Sequence, residues 1–248
     1  MYSTNYISDV NVDGPDEDSF DFSRFFHLRN FLKDEVATHG DVKLLDYGCG
    51  ADTQVLLTSR QLRMACTGVE LDEATRGIVK LTTSLLVLSP GAALLFEKRF
   101  DIIFLGDLPE HTYNPSELPS NLTNLLSNRG SFFIQGLLEG ARTLSNYLLT
   151  LKAQLNSGSP STFPPYYVSL ANFQSFQRLL NYCGLEVTLV TIREPFWPAK
   201  SFEPKESFRT LSDFVFSVSK LCDILVSRFY RNYPTRIYCV AQIKQFNT

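Results

Sequence analysis

Lys43-Leu44-Leu45-Asp46-Tyr47-Gly48-Cys49-Gly50-Ala51-Asp52 reads as a short apolar strand that ends in an acid and passes at once into two alternate glycines. Such a turn leaves backbone N–H groups open to a ligand. At the carboxyl end of a strand in an open α/β sheet, glycines let the chain approach a nucleotide-like molecule, and the next helix offers further N–H donors at its start. About twenty residues on, at the spacing such folds use, Cys66-Thr67-Gly68-Val69-Glu70 reads as a second strand ending in a second acid. The pair forms a nucleoside-binding arrangement.

The glycine spacing narrows the choice of nucleoside. A dinucleotide fingerprint needs G-x-G-x-x-G, and counting from Gly48 puts Thr53 in the third place. A phosphate loop needs G-K-[ST], which does not follow. A cofactor with a carboxylate, an ammonium and a ribose fits better, as S-adenosylmethionine does. Asp46-Tyr47-Gly48-Cys49-Gly50 resembles the first motif of class I S-adenosylmethionine-dependent methyltransferases, D-x-G-C-G-x-G, and Glu70 stands where that family keeps its ribose acid. Asp52 replaces the third glycine, suits an N-cap for a helix beginning near Thr53, and brings a carboxylate towards the methionine end of the cofactor.

That resemblance implies roles. Asp46 would anchor the turn or the methionine ammonium; Gly48, Cys49 and Gly50 would bring the backbone close. Glu70 would accept from both ribose hydroxyls, and Leu71 would lie against the adenine. The family's adenine-binding acid has no counterpart in Leu86-Val87-Leu88-Ser89-Pro90-Gly91, so that contact falls to Ser89 or to backbone groups, with Asp107 a further contact. Read without the resemblance, Gly48 and Gly50 make a plain tight turn of an α/β protein.

Downstream order agrees. Arg99 to Asp107 is a buried-strand run of the kind parallel sheets use. Leu108-Pro109-Glu110-His111-Thr112-Tyr113-Asn114-Pro115 is similar to the F-D-x-I-x-x-x-x-x-x-E-H-x-x-x-P stretch of small-molecule methyltransferases of the ubiquinone-biosynthesis and sugar-modifying kind. A helix carrying Leu118, Leu122, Leu125 and Leu126, a turn at Asn128-Arg129-Gly130 and a strand from Ser131 to Gly136 follow. Phe173, Phe176, Leu179 and Leu180 predict a helix over Asn172 to Cys183, stopped by Gly184. Strands are expected at Leu185–Ile192 and Ile237–Ile243. The resemblance implies an α/β, Rossmann-like fold: a seven-stranded, mostly parallel sheet with helices on both faces and the last strand antiparallel. An N-terminal helical cap and a helical insertion before the last strand complete it. The expected division is a segment and cap helix over 1–40 and a methyltransferase domain over 41–248, with an insertion or lid over 193–236.

For a methyl transfer the sulfonium already makes the methyl carbon electrophilic, so the chain's task is to align an acceptor behind it and exclude water. A small-molecule acceptor offering a hydroxyl is expected on the resemblance, and it needs a base. His111 is the candidate, since its ordinary pKa lies near neutrality; the alternative is a helix-start histidine that shapes the pocket. Glu110 would orient it or serve instead. Tyr167, in Pro164-Pro165-Tyr166-Tyr167, stands where related sequences carry a histidine. Three departures, at Asp52, at the missing adenine acid and at Tyr167, favour a different class: an inactive methyltransferase-fold chain acting as a cofactor-binding or structural partner subunit.

In the insertion, Pro195, Pro198 and Pro204 favour loop. From Phe208 to Tyr230, Leu211, Phe214, Val215, Val218, Leu221, Leu225 and Phe229 form one amphipathic stripe. It packs on the domain or on a second subunit, giving a homodimer through 208–230, or it closes as a lid. Lys220 and Asp223 exclude a membrane span. Phe20, Phe22, Phe25, Phe26, Leu28, Phe31 and Leu32 crowd a segment that is either core packing or a cap. Tyr2, Tyr6, Phe25 and Phe26 are candidate pocket residues.

Composition bounds these readings. The 248 residues suffice for one α/β domain with an added cap, 44% hydrophobic residues is ordinary for a globular protein, and a net charge of −3 argues against general nucleic-acid binding. Arg228, Arg231 and Arg236 beside Phe229, Tyr230 and Tyr233 form a local basic cluster. Cysteines 49, 66, 183, 222 and 239 are odd in number, without C-x-x-C spacing or a secretory leader before them; they are expected to be reduced, in a cytoplasmic protein. His27, His39 and His111 have no His or Cys partner at ligand spacing, so no metal site is expected.

Overall fold

Central strands whose neighbouring side chains are all apolar must be covered on both faces. The structure is a computed structural model and describes residues 20–51, 54–97, 99–108, 111–112, 114–138, 143–145, 147–148, 151, 172–193, 211–230 and 236–244. Seven strands, β1 (Lys43–Tyr47), β2 (Ala65–Val69), β3 (Leu86–Leu88), β4 (Phe100–Gly106), β5 (Leu126–Leu137), β6 (Leu185–Arg193) and β7 (Arg236–Ile243), form one sheet of order β3-β2-β1-β4-β5-β7-β6. β1 runs parallel to β2 and β4, β2 to β3 and β4 to β5. β7 alone is reversed, antiparallel to both β5 and β6. The expected sheet is the observed one.

The alternation of buried side chains sorts the core into two layers. Leu45, Ile103, Leu105, Phe132, Ile134 and Cys239 point to one side, against α5 (Glu117–Leu122) and α6 (Phe173–Tyr182). Leu44, Ile102, Phe104, Phe133, Tyr238 and Val240 point to the other, where α1 (Phe20–His39) and α2 (Gln54–Gln61) lie. Within the apolar crowd of the N-terminal segment, four side chains are core packing: Leu28 and Leu32 are fully buried, Phe25 meets the edge of Phe104 at 6.2 Å between ring centroids, and Phe31 lies 5.2 Å from Phe133. Phe26 is exposed; Tyr2 and Tyr6 lie outside the described residues.

α3 (Glu73–Thr83) and α4 (Pro90–Leu94) follow β2 and β3. α6 starts where its sequence says, with Asn172 accepting from the Ser175 N–H at 2.9 Å, and ends at Gly184 with φ +74. One boundary differs from expectation. The helix carrying Leu118 stops at Leu122, a single 3₁₀ turn covers Thr123–Leu125, and Leu126 already pairs with Phe100. Asn128-Arg129-Gly130 is therefore not a free turn before the strand but the irregularity within it, where the register jumps from Phe100↔Leu126 to Ile102↔Ser131. Apolar spacing could not reveal this, because Leu125 and Leu126 are buried by the strand entry as well as by a helix.

The insertion helix, α7 (Leu211–Ser227), departs more sharply. Its stripe is not the buried face: Phe214, Val215, Val218, Leu221 and Leu225 are exposed, while Ser219, Lys220 and Asp223 are buried. The Asp223 carboxylate accepts from the Leu144 N–H at 2.8 Å and the Ser145 N–H at 2.9 Å. A carboxylate there satisfies two backbone donors at the start of a helical turn, as an N-cap does but from another element. No helix among the described residues is long and apolar enough to cross a membrane.

Candidate cofactor and acceptor site

β1 delivers Asp46 and Tyr47 to the carboxyl edge of the sheet, and the chain then folds back over β2. Gly48 and Gly50 have φ +84 and +57, left-handed values that an L side chain adopts with strain. The Gly48 and Cys49 N–H groups both donate to the Val69 carbonyl, at 2.8 and 2.9 Å. Glu70 then clasps the turn: its Oε2 accepts from the Gly50 N–H and its Oε1 from the Asp72 N–H, each at 2.9 Å. Arg76 donates to the Glu70 and Leu71 carbonyls at 2.9 and 2.6 Å. Asp72, capping α3 through Thr75, has its carboxyl held below the usual range by the Thr75 N–H and hydroxyl. The sequence pointed to Gly48, Gly50 and Glu70 and the structure brings them together. Arg76 was not foreseen; its signal is a cation one helical turn into the element after the acid.

Asp46 is 2% exposed beneath this turn. Leu71 stands beside Glu70 at 72% exposed, an apolar surface available to a flat ring. Cys49 is buried, with Sγ so near Gly68 that a Cβ there would lie 3.0 Å away. Burial, then the charges of Asp46 and Glu70, push its thiol far above the ordinary value. Since the thiolate is the nucleophile, Cys49 is a packing residue of the turn.

Two expected contacts have other work in this structure. The Ser89 hydroxyl accepts from the Ala92 N–H at 3.3 Å and caps α4, although its proton is still available to an acceptor. Asp107, with φ +49, pairs through Oδ1 with Arg236 of β7 at 2.9 Å, and both side chains are largely buried. No sequence signal joins residues 129 apart. Leu108, next along, packs on the turn: a Cβ at Gly48 would lie 3.2 Å from Leu108 Cδ1. His111 follows, half-buried, its N–H donating to the Leu108 carbonyl at 3.0 Å. Glu110, Tyr167 and Asp52 lie outside the described residues.

The site therefore occupies the carboxyl edge where β1, β2 and β4 meet, the place at which open α/β sheets bind ligands. A sheet of this order with the reversed strand recurs in solved structures. A protein from Galdieria sulphuraria, named as a candidate sarcosine dimethylglycine methyltransferase, has a TM-score of 0.55 at 14% identity, over 87% of this chain and 85% of its own. The fold is that of the class I methyltransferases. The plantazolicin methyltransferase BamL, solved with a triazolic analogue and SAH, matches this methyltransferase fold with a TM-score of 0.55 and 18% identity over 88% of this chain and 84% of its own. The [4+2]-cyclase SpnF matches with 0.54 and 13% identity, over 87% and 80%, so the fold does not by itself dictate the reaction. No family model and no curated protein matches the sequence.

The residues present fit S-adenosylmethionine. Each Glu70 oxygen accepts one backbone N–H and keeps a second acceptor position, so a ribose diol can bind without dismantling the turn. Gly48, Gly50 and Leu71 supply close backbone approach and an apolar wall.

Proposed function

We propose that this chain transfers a methyl group from S-adenosylmethionine to the hydroxyl oxygen of a small molecule. The observation that carries the reading is the Glu70 clasp, an acid at the end of β2 that holds the left-handed glycine turn of β1 and retains acceptor capacity towards a diol. When bound, the cofactor supplies an electrophilic methyl carbon. Glu70 and the turn fix its ribose; Leu71 covers the adenine. Leu108 packs on the turn and the Asp107–Arg236 pair ties the end of β4 to β7; His111, bonded through its N–H to the Leu108 carbonyl, is our candidate base, its imidazole accepting the hydroxyl proton as the oxygen attacks. General-base help of this kind is worth about 10²-fold to 10⁴-fold.

A second reading has one observation in its favour. Ser89 and Asp107 already serve an α4 cap and an ion pair, which suits a chain that binds the cofactor without turnover and acts as a partner subunit. Calorimetric titration with S-adenosylmethionine and S-adenosylhomocysteine separates the cases, with Glu70→Ala beside the parent. Micromolar binding that weakens about 30-fold or more in the variant, the cost of losing a charged hydrogen bond, supports the site. Turnover of an acceptor that His111→Ala slows would establish the enzyme, and binding without turnover of any hydroxyl acceptor would favour the partner subunit. Absence of binding by either ligand would sink both.

A further inference from the structure

The outward face of α7 is chemically odd for a monomer. Val215, Val218, Leu221, Leu225, Phe229 and Tyr230 are 42, 41, 41, 55, 82 and 68% exposed. Scaled by ordinary residue areas this is about 600 Å² of mostly apolar surface, some three quarters of the roughly 800 Å² that each partner contributes to a standard interface. The inward face is the polar one. Lys220 and Asp223 are the charged residues between Val215 and Ser227, and both are buried. Asp223 is tied to the backbone of Leu144 and Ser145 at 2.8 and 2.9 Å. The helix therefore cannot turn its stripe inward without leaving two donors and a carboxylate unsatisfied. We infer that a second copy of this chain covers this face, as a two-fold antiparallel pairing of α7 with its mate.

Charge and symmetry choose the occupant. A helix lying on a bilayer presents cations along its polar flank, but here the Lys220 side chain is turned inward and Arg228 is the exposed cation at the end of the stripe. A face without exposed charge between Val215 and Ser227 meets its own copy without like-charge repulsion, and a two-fold axis brings a patch against itself. Positions 215, 218, 222 and 225 follow three- and four-residue steps, so they share one line of the helix, and Phe229 extends it in the turn that follows, where its N–H donates to the Val226 carbonyl at 3.0 Å. Cys222, exposed, is the midpoint between Val215 and Phe229. An antiparallel pairing centred there sets the bulky Phe229 and Tyr230 end of one helix against the Val215 end of the other. It also places the two Cys222 side chains side by side at the axis, where oxidation removes two electrons and two protons to join them when an added oxidant such as copper–phenanthroline is supplied. The polar side of each α7 still caps the segment that follows β5, so the dimer would press that segment against its own sheet.

Sedimentation equilibrium of the full chain across the micromolar range tests this, beside Leu225→Glu and Cys222→Ser. The expected result is a dimer that Leu225→Glu converts to a monomer with an unchanged far-UV spectrum and melting profile, and an oxidised, disulfide-linked dimer that Cys222→Ser abolishes. Should Leu225→Glu fold poorly, the Cys222 cross-link decides alone. A monomeric parent overturns the proposal. If that monomer binds vesicles of mixed phosphatidylcholine and phosphatidylglycerol, lipid is the occupant; if its Cys222 resists maleimide, another segment of the chain covers the face. A dimer that survives Leu225→Glu and does not cross-link at Cys222 pairs elsewhere and equally overturns it.

Discussion

Gly48 shows how one residue type can be required twice over. Its φ of +84 is left-handed, and a Cβ there would also press on Leu108 at 3.2 Å. Gly48→Ala should therefore lower stability by about 1–2 kcal/mol, the cost of a left-handed L residue. It should also weaken S-adenosylmethionine binding, because the loop after β4 must shift; equal denaturation midpoints in urea for parent and variant would contradict this. Cys49 carries the opposite lesson. With its thiol driven far above the ordinary value by burial and two neighbouring carboxylates, it should resist a thiol reagent at pH 8 in the native state and react only once the chain is unfolded in urea. Rapid labelling of Cys49 in the folded protein would refute that assignment. At this scale the sequence was legible where chemistry is local: glycines two apart after a strand, and an acid closing the next one. It was silent where chemistry is distant. Nothing local reveals Arg236 as the partner of Asp107, 129 residues away.

Among the elements, α7 was recognisable as a helix but not in its orientation. Periodicity finds a stripe; it does not say which way the stripe faces. Here the decision belongs to Asp223, whose two backbone partners lie 79 and 78 residues away. Asp223→Ala leaves the buried Ser145 N–H and the part-buried Leu144 N–H without this acceptor, and unfolding in urea should show a loss of about 2 kcal/mol. The amide protons of Leu144 and Ser145 should then exchange faster, a change that a merely smaller side chain at an exposed site would not produce. Unaltered protection at both amides would mean that α7 is held by other contacts. The entry into β5 is similar: Leu125 and Leu126 suit a helix or a strand, and the fork is decided by Gly130, whose added Cβ would sit 2.8 Å from the Phe100 carbonyl oxygen.

For the whole molecule the two-layered sheet was the most legible feature, because runs such as Ile102 to Leu105 are apolar at every position and only a sheet buried on both faces uses them all. The same burial gives the protein a pH dependence. Cys239 lies in the core with its thiol pushed up to about 12, whereas a thiol in the unfolded chain ionises near pH 8.5. Between those values the unfolded state releases a proton that the folded state retains, so stability is intact below about pH 8.5 and falls as pH rises. Each such thiol adds a slope of about 1.4 kcal/mol per pH unit. Urea midpoints measured from pH 7 to alkaline conditions should fall, and Cys239→Ala, though less stable at neutrality, should fall less steeply. Parallel slopes would show that this thiol is not what titrates. The reversed strand has a consequence for synthesis as well. β6 touches the sheet only through β7, which leaves the ribosome later, so a nascent chain holding β1 to β6 has an open sheet edge on β5 and a β6 with no strand to pair with. The last strand to emerge slides between them, and until it does, the unfinished sheet is open to any passing strand, which makes that interval the one in which a chaperone has most to offer.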